Sequence, residues 1–267
     1  MSGELVVKVS WGPRPESPEE LAERWLATLG ALTELSSGTP AAPSAGTAAP
    51  EPAGTPAPEP AGAPAGAPVS WRWDREGEAG GPVPSGVREF ADVVEAGGPE
   101  EDADIVGWSA AVTGTWPDGG YAYLRAKGGG SDEHTPFTAT LQLFPAPGAA
   151  AGSPAPLADR LPEALVVLAE SWDADTGLTY DRELFSTVKA AFGLRNSRPR
   201  CGWATYLSVN RAALVPDALP GRRHATKGGG LVLEAGHSTE AVMTAQRALA
   251  DAGALERVPV SEARPAW

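Results

Sequence analysis

LVVKVSWGPRPESPEELAERWLATLGAL, residues 5–32, joins two periodicities across a pair of prolines. LVVKVS (5–10) is a short β-branched run interrupted by Lys8, which reads as a half-buried strand. Ser17 then precedes Pro18, Glu19 and Glu20, a capping box with proline at the first helical position. Beyond it Leu21, Trp25, Leu26, Leu29 and Leu32 recur at three- and four-residue spacing, the apolar stripe of a helix. Gly12 and Arg14 each precede a proline and are kept out of the α region, so the corner between strand and helix is stiff. It holds Arg14 at a fixed place.

The same mixture continues along the chain. VSWRWD (69–74) sets Trp71 and Trp73 on one face and Arg72 on the other, as an edge strand would. GVREFADVVEAGG (86–98) has helical spacing and stops at Gly97. IVGWSAAVTGTW (105–116), GYAYLRAKGGG (120–130) and FTATLQLF (137–144) read as three strands, the first two joined by PDGG (117–120), so at least part of the sheet is an antiparallel meander. Helices are expected over 157–172, 181–193 and 239–253, a buried strand over 202–209, and a strand pair over 222–227 and 231–236. The fold class expected is α+β: a mostly antiparallel sheet with helices packed on it.

Residues 36–68 hold only Ala, Pro, Gly, Ser, Thr and Glu. Such a stretch buries too little apolar surface to offset its ordering entropy, and is expected to be a disordered linker. The organisation read from this is one domain: an opening strand and helix in 1–35, the linker in 36–68, the remainder in 69–255 and a tail in 256–267.

Composition narrows the function. The net charge of −13 disfavours binding to nucleic-acid phosphates. It suits solubility and, more specifically, steering toward a basic protein partner. No basic region leads into an apolar stretch and cleavage site at the N-terminus, and no run has membrane-spanning length. One cysteine, Cys201, fits a reducing cytoplasm and a buried, apolar role.

Catalytic and cofactor signatures are wanting. His134, His224 and His237 stand apart without metal-ligand spacing, so neither a metal nor a cofactor is expected. KGGG occurs at 127–130 and 227–230, in both cases better explained by hairpin turns than by a phosphate loop. STVK (186–189) matches the Ser-x-x-Lys of penicillin-binding enzymes, but its companion motifs are missing. WDADTGLTYDRE (172–183) offers enough carboxylates for a glycosidase-like hydrolase, which needs two of them facing across a cleft. The preferred reading there is a helix end leading into an exposed turn. No enzymatic activity is expected, with the hydrolase and a non-catalytic adaptor protein as the alternatives.

The order of the motifs carries a resemblance. A strand runs into Trp11-Gly12-Pro13-Arg14, Glu16-Ser17 and a helix; Gly107-Trp108 opens a middle strand. Trp172-Asp173-x-Asp175 ends a helix, and Gly202-Trp203-x-x-Tyr206 lies in a late strand. This resembles the immunity protein 52 family of bacterial polymorphic-toxin systems, well over 5–35, loosely over 105–144 and fairly well over 157–253. The resemblance implies an α+β protein without activity of its own that binds and silences a cognate toxin, commonly a nuclease, in the producing cell. It makes Trp11, Gly12, Arg14, Trp108, Gly202, Trp203 and Tyr206 motif residues, read here as structural. Trp11 is expected to pack on the first helix and Arg14 to pair with a carboxylate, the rival being direct toxin contact. Candidate toxin contacts are the acidic Glu100, Glu101, Asp102 and Asp104, with Asp173 and Asp175 behind them.

Overall fold

A computed structural model describes residues 3–38, 69–75, 78–99, 101–135, 137–150, 152–195 and 198–257. In chain order the elements are β1 (Leu5–Trp11), α1 (Pro18–Ser36), β2 (Ser70–Arg75), β3 (Glu78–Pro82), α2 (Val87–Ala96), α3 (Ala103–Val106) and β4 (Trp108–Thr115). Then follow β5 (Tyr121–Gly128), β6 (Phe137–Phe144), α4 (Leu161–Ser171), β7 (Thr176–Asp181) and α5 (Arg182–Phe192). The chain continues through β8 (Ala204–Leu207), α6 (Val209–Ala212), β9 (Arg222–Ala225), β10 (Leu231–Glu234) and α7 (Thr239–Asp251). All ten described strands form one antiparallel sheet in the order β3-β2-β4-β5-β6-β1-β7-β8-β10-β9. The α+β class expected from the sequence is the class found.

The opening stretch is central to it. β1 pairs with β6 on one side and β7 on the other, so a strand met first in sequence is completed only by residues far along the chain. Leu5, Val7, Val9 and Trp11 point to the face covered by α1 and α4, and all four are buried. Ser17 caps α1 with the reciprocal Glu20 bond of a capping box, as the sequence indicates. α1 packs on α2 and α4, with Leu21, Trp25, Leu29 and Leu32 buried in the core.

The second face is divided. Over β4, β5 and β6 it is open, and half-exposed Tyr121, Tyr123, Thr138, Thr140 and Gln142 alternate with buried neighbours. Toward β8 and β10 it is closed: Leu207 and Leu233 are fully buried, and α7 is docked through Gln246, whose Oε1 accepts from the Cys201 N–H at 2.8 Å. Cys201 is buried, and burial pushes its thiol up to about 12.

Three expectations need correction. β2 is not an edge strand, because β3 pairs outside it. EAGGP lacks strand-forming residues, but a Cβ at Gly80 would lie 2.6 Å from the Trp73 ring, so glycine is what admits the indole there. Residues 103–106 form α3 rather than the start of a strand; Gly107, at φ +76, turns the chain so that β4 begins at Trp108. Residues 176–181 are no exposed turn but β7, between β1 and β8. Its Gly177 dilutes the strand signal, yet a Cβ there would meet Val9 Cγ1 and Leu165 Cδ1, both at 2.8 Å. KGGG at 227–230 is a tight hairpin turn, with Thr226 N–H donating to Gly230 O, whereas at 127–130 Lys127 and Gly128 end β5 and Gly129 and Gly130 open the longer connection to its antiparallel neighbour β6. The disorder expected over 36–68 falls, from residue 39 on, outside the described residues; Ser36 still belongs to α1.

Candidate functional site

One end of the sheet gathers most of the motif residues, while Gly202 and Trp203 lie farther along β7, at Thr179. There the corner after β1 meets the C-terminus of α4 and the Gly128–Gly130 run. Trp11 stacks on Trp172 with ring centroids 5.2 Å apart, and Trp25 meets Trp172 edge-on at 5.6 Å. Arg14 crosses the end of α4: Nη1 pairs with Asp173 Oδ2 at 3.1 Å, Nη2 donates to Trp172 O at 3.1 Å, and Nε lies 3.0 Å from Glu16 Oε2. Arg24 repeats the pattern at the preceding carbonyl, pairing with Glu16 Oε1 at 2.6 Å and donating to Ser171 O at 2.9 Å. The last turn of α4 has no basic residue of its own, so two guanidiniums from elsewhere satisfy its final carbonyls. Asp175 Oδ2 accepts from the Gly12 N–H at 2.9 Å. Trp-Gly-Pro-Arg and Trp-Asp-x-Asp are thus two halves of one clamp.

The glycine run closes the other side. Arg14 N–H donates to Gly130 O and Glu16 N–H to Gly129 O. Gly129 has φ +83, and a Cβ on it would stand 2.9 Å from Glu16 O and 2.7 Å from the Trp108 ring. Backbone and indole leave room for glycine alone. Gly202 likewise lies against Thr179 O, with Trp203 N–H donating to that oxygen. Tyr206 is buried on the neighbouring strand; burial first, then Asp173, Glu170 and Asp175, push its phenol up to about 12.

Beside the clamp runs an acidic ridge. Glu101, Asp102 and Asp104 are exposed on and before α3; Glu100 lies outside the described residues. Ser131 donates to Asp104 O through both N–H and hydroxyl at 3.0 Å, and Asp132 N–H donates to Ile105 O at 2.9 Å. Asp132 and Glu133 are therefore held alongside the ridge, and Ile105 stands among them 44% exposed. The Thr135 hydroxyl, then the His134 N–H, hold the Asp132 carboxyl below its usual range.

Sequence reasoning grouped Asp173 and Asp175 with this ridge; the structure instead ties them to Arg14 and Gly12. It missed Asp132 and Glu133, which join the ridge only because the glycine run 128–130 lets the chain turn back against α3. It also missed Glu16 and Arg24. Of the other carboxylates considered for hydrolysis, Asp181 caps α5, its Oδ1 accepting from Leu184 N–H at 2.8 Å. Among the described residues no group of His, Cys, Asp or Glu is arranged to hold a metal ion, and no helix is long and apolar enough to cross a membrane.

No family model matches the chain, and no curated protein matches it. Neither comparison shows the immunity protein 52 family expected from the order of the motifs. Among solved structures the chain is similar to a Pseudomonas aeruginosa T6SS protein, at a TM-score of 0.45 and 12% identity over 95% of this chain and 74% of that one.

Proposed function

We propose that this chain is an immunity protein that neutralises a cognate toxin, a basic nuclease, by stoichiometric binding in the cytoplasm of the producing cell, with no catalysis of its own. The observation that carries the reading is the ridge: Glu101, Asp102, Asp104, Asp132 and Glu133 face solvent around the exposed Ile105. Acids around an apolar side chain suit a partner whose basic surface is drawn in by charge and then anchored by burial. The motif order supports the same reading. The engagement of Asp173, Asp175 and Asp181 within the fold favours it over hydrolysis, since those acids already have structural work.

The test is co-expression with the product of the adjacent upstream gene, followed by a growth assay and co-purification. Rescue of growth with a one-to-one complex is the expected result; a harmless neighbour or no complex would remove the proposal. Within a complex, the triple reversal Glu101→Lys, Asp104→Lys and Asp132→Lys should slow association about tenfold at low salt and flatten its salt dependence. An unchanged rate would take the ridge out of the interface.

A further inference from the structure

On the opposite face of the sheet from α1 and α4, at the same end as the clamp, lies a cleft of about 300 Å³. Its floor is a registered row of hydroxyls across three strands: Ser10 on β1 stands opposite Thr138 on β6 and opposite Thr176 on β7. Lys8 is the next residue of β1 on that face, beside Leu178. The walls are the Gly12-Pro13 turn, residues 133–135, Phe185 and the segment Arg198-Pro199-Arg200. The lining holds four cations, Lys8, Arg198, Arg200 and Arg257, against the single carboxylate of Glu133. This is the reverse of a chain whose net charge is −13.

Two of these cations are held in a way that a solvated surface would not require. Arg200 is only 3% exposed. Its guanidinium lies over the Phe185 ring at 4.1 Å and donates from Nη2 to Arg195 O, while the buried Nη1 has no hydrogen-bond partner among the described residues. A buried guanidinium nitrogen without an acceptor is costly, and such groups ordinarily find one. Lys8 interrupts an otherwise apolar strand. Burial pushes its ammonium down, and the Arg200 guanidinium pushes it further the same way. Among the described residues neither side chain forms an ion pair with a carboxylate, and no acceptor occupies the hydroxyls of Ser10, Thr138 or Thr176.

We infer that this cleft is a binding site for a small organic oxyanion, a phosphate monoester or a carboxylate, whose charged group sits between Lys8 and Arg200 and accepts from the hydroxyl row. An oxyanion would supply the acceptor that Nη1 lacks and relieve the repulsion between the two cations. The volume admits a ligand of a few carbons beyond the anionic group, resting on Leu178, Phe185 and Pro199.

Isothermal titration of the full chain with inorganic phosphate, glycerol 3-phosphate and succinate tests this, against sodium chloride at equal ionic strength. Saturable binding of at least one probe, at a Kd near or below about 1 mM, is expected. Lys8→Met keeps the aliphatic stem in a half-apolar site and should weaken that binding about tenfold or more, as should Arg200→Met. Thr176→Val should weaken it about threefold. The probe that saturates tells which anionic group is taken. Heats no different from chloride for all three probes, or a folded Lys8→Met protein that binds as tightly as the wild type, would overturn the inference.

Discussion

The clamp and the ridge lie side by side and are built from the same kind of residue, yet their carboxylates are used in opposite ways. Glu16, Asp173 and Asp175 are matched to Arg14, Arg24 and the Gly12 N–H, and together they fix a strand, a helix start and a helix end. Glu101, Asp102, Asp104 and Glu133 face solvent and form no ion pair among the described residues. The acidity of this chain is therefore two properties. Carboxylates in the clamp act on stability, because Glu16 is buried and the other groups of the clamp are half-buried around it. Those on the ridge act on encounter, because in water their charge reaches a partner before any contact forms.

The largest effect should come from the aromatic centre of the clamp. Trp172 is fully buried between Trp11 and Trp25, so Trp172→Ala should cost about 4 kcal/mol in denaturant unfolding. A loss below about 1.5 kcal/mol would mean that the ion pairs, not the indoles, hold the corner. Next comes a matched pair of variants. Asp175→Ala removes the acceptor of the Gly12 N–H and should cost about 2 kcal/mol, whereas Asp104→Ala should stay within about 0.5 kcal/mol. Equal losses at the two sites would erase the distinction between clamp and ridge.

Alkali probes the clamp without touching it. Tyr206 keeps its proton to about 12 when folded, against an ordinary 10.0, first because it is buried and then because Asp173, Glu170 and Asp175 lie near it. Above pH 10 the unfolded chain releases this proton while the native chain retains it. The contribution is thus fully present below pH 10 and is lost as the pH climbs toward 12, at about 1 kcal/mol per pH unit. Tyr206→Phe should make the fall of stability with pH shallower over that window by this amount. An unaltered slope would show that neither burial nor the clamp carboxylates hold the phenol neutral.

Much of this arrangement is legible in the sequence. The capping box at Ser17, the stripe from Leu21 to Leu32 and the meander through PDGG are local signals, and each formed as read. What failed to show were features made by distant neighbours. β7 reads as a turn because Gly177 weakens it, and only the approach of Val9 from β1 and Leu165 from α4 explains that glycine. The pairing of Arg14 with a carboxylate was foreseeable from its stiff corner, but Asp173 as the partner was not, since 159 residues separate them. Asp132 and Glu133 escaped for the same reason. Lys8 was visible as an interruption in an apolar strand, while Arg200, which gives the interruption its meaning, lies in another part of the chain.

The smallest expected effect on stability is also the sharpest division between the two regions. Reversing Glu101, Asp104 and Asp132 should leave unfolding within about 0.5 kcal/mol of the wild type for each site, because exposed charges gain little from one another in water. The Asp132 loop is the place where this could fail, since Thr135 and His134 hold its carboxylate. Comparing Asp132→Lys with Asp132→Asn resolves it, as the amide keeps an oxygen to accept from the His134 N–H and sets an NH2 that can donate to the Thr135 hydroxyl oxygen, while losing the charge. If the two variants unfold alike and only the lysine slows association with a toxin, the residue acts through its field. If both are destabilised together, Asp132 belongs with the clamp, and the ridge ends at Asp104.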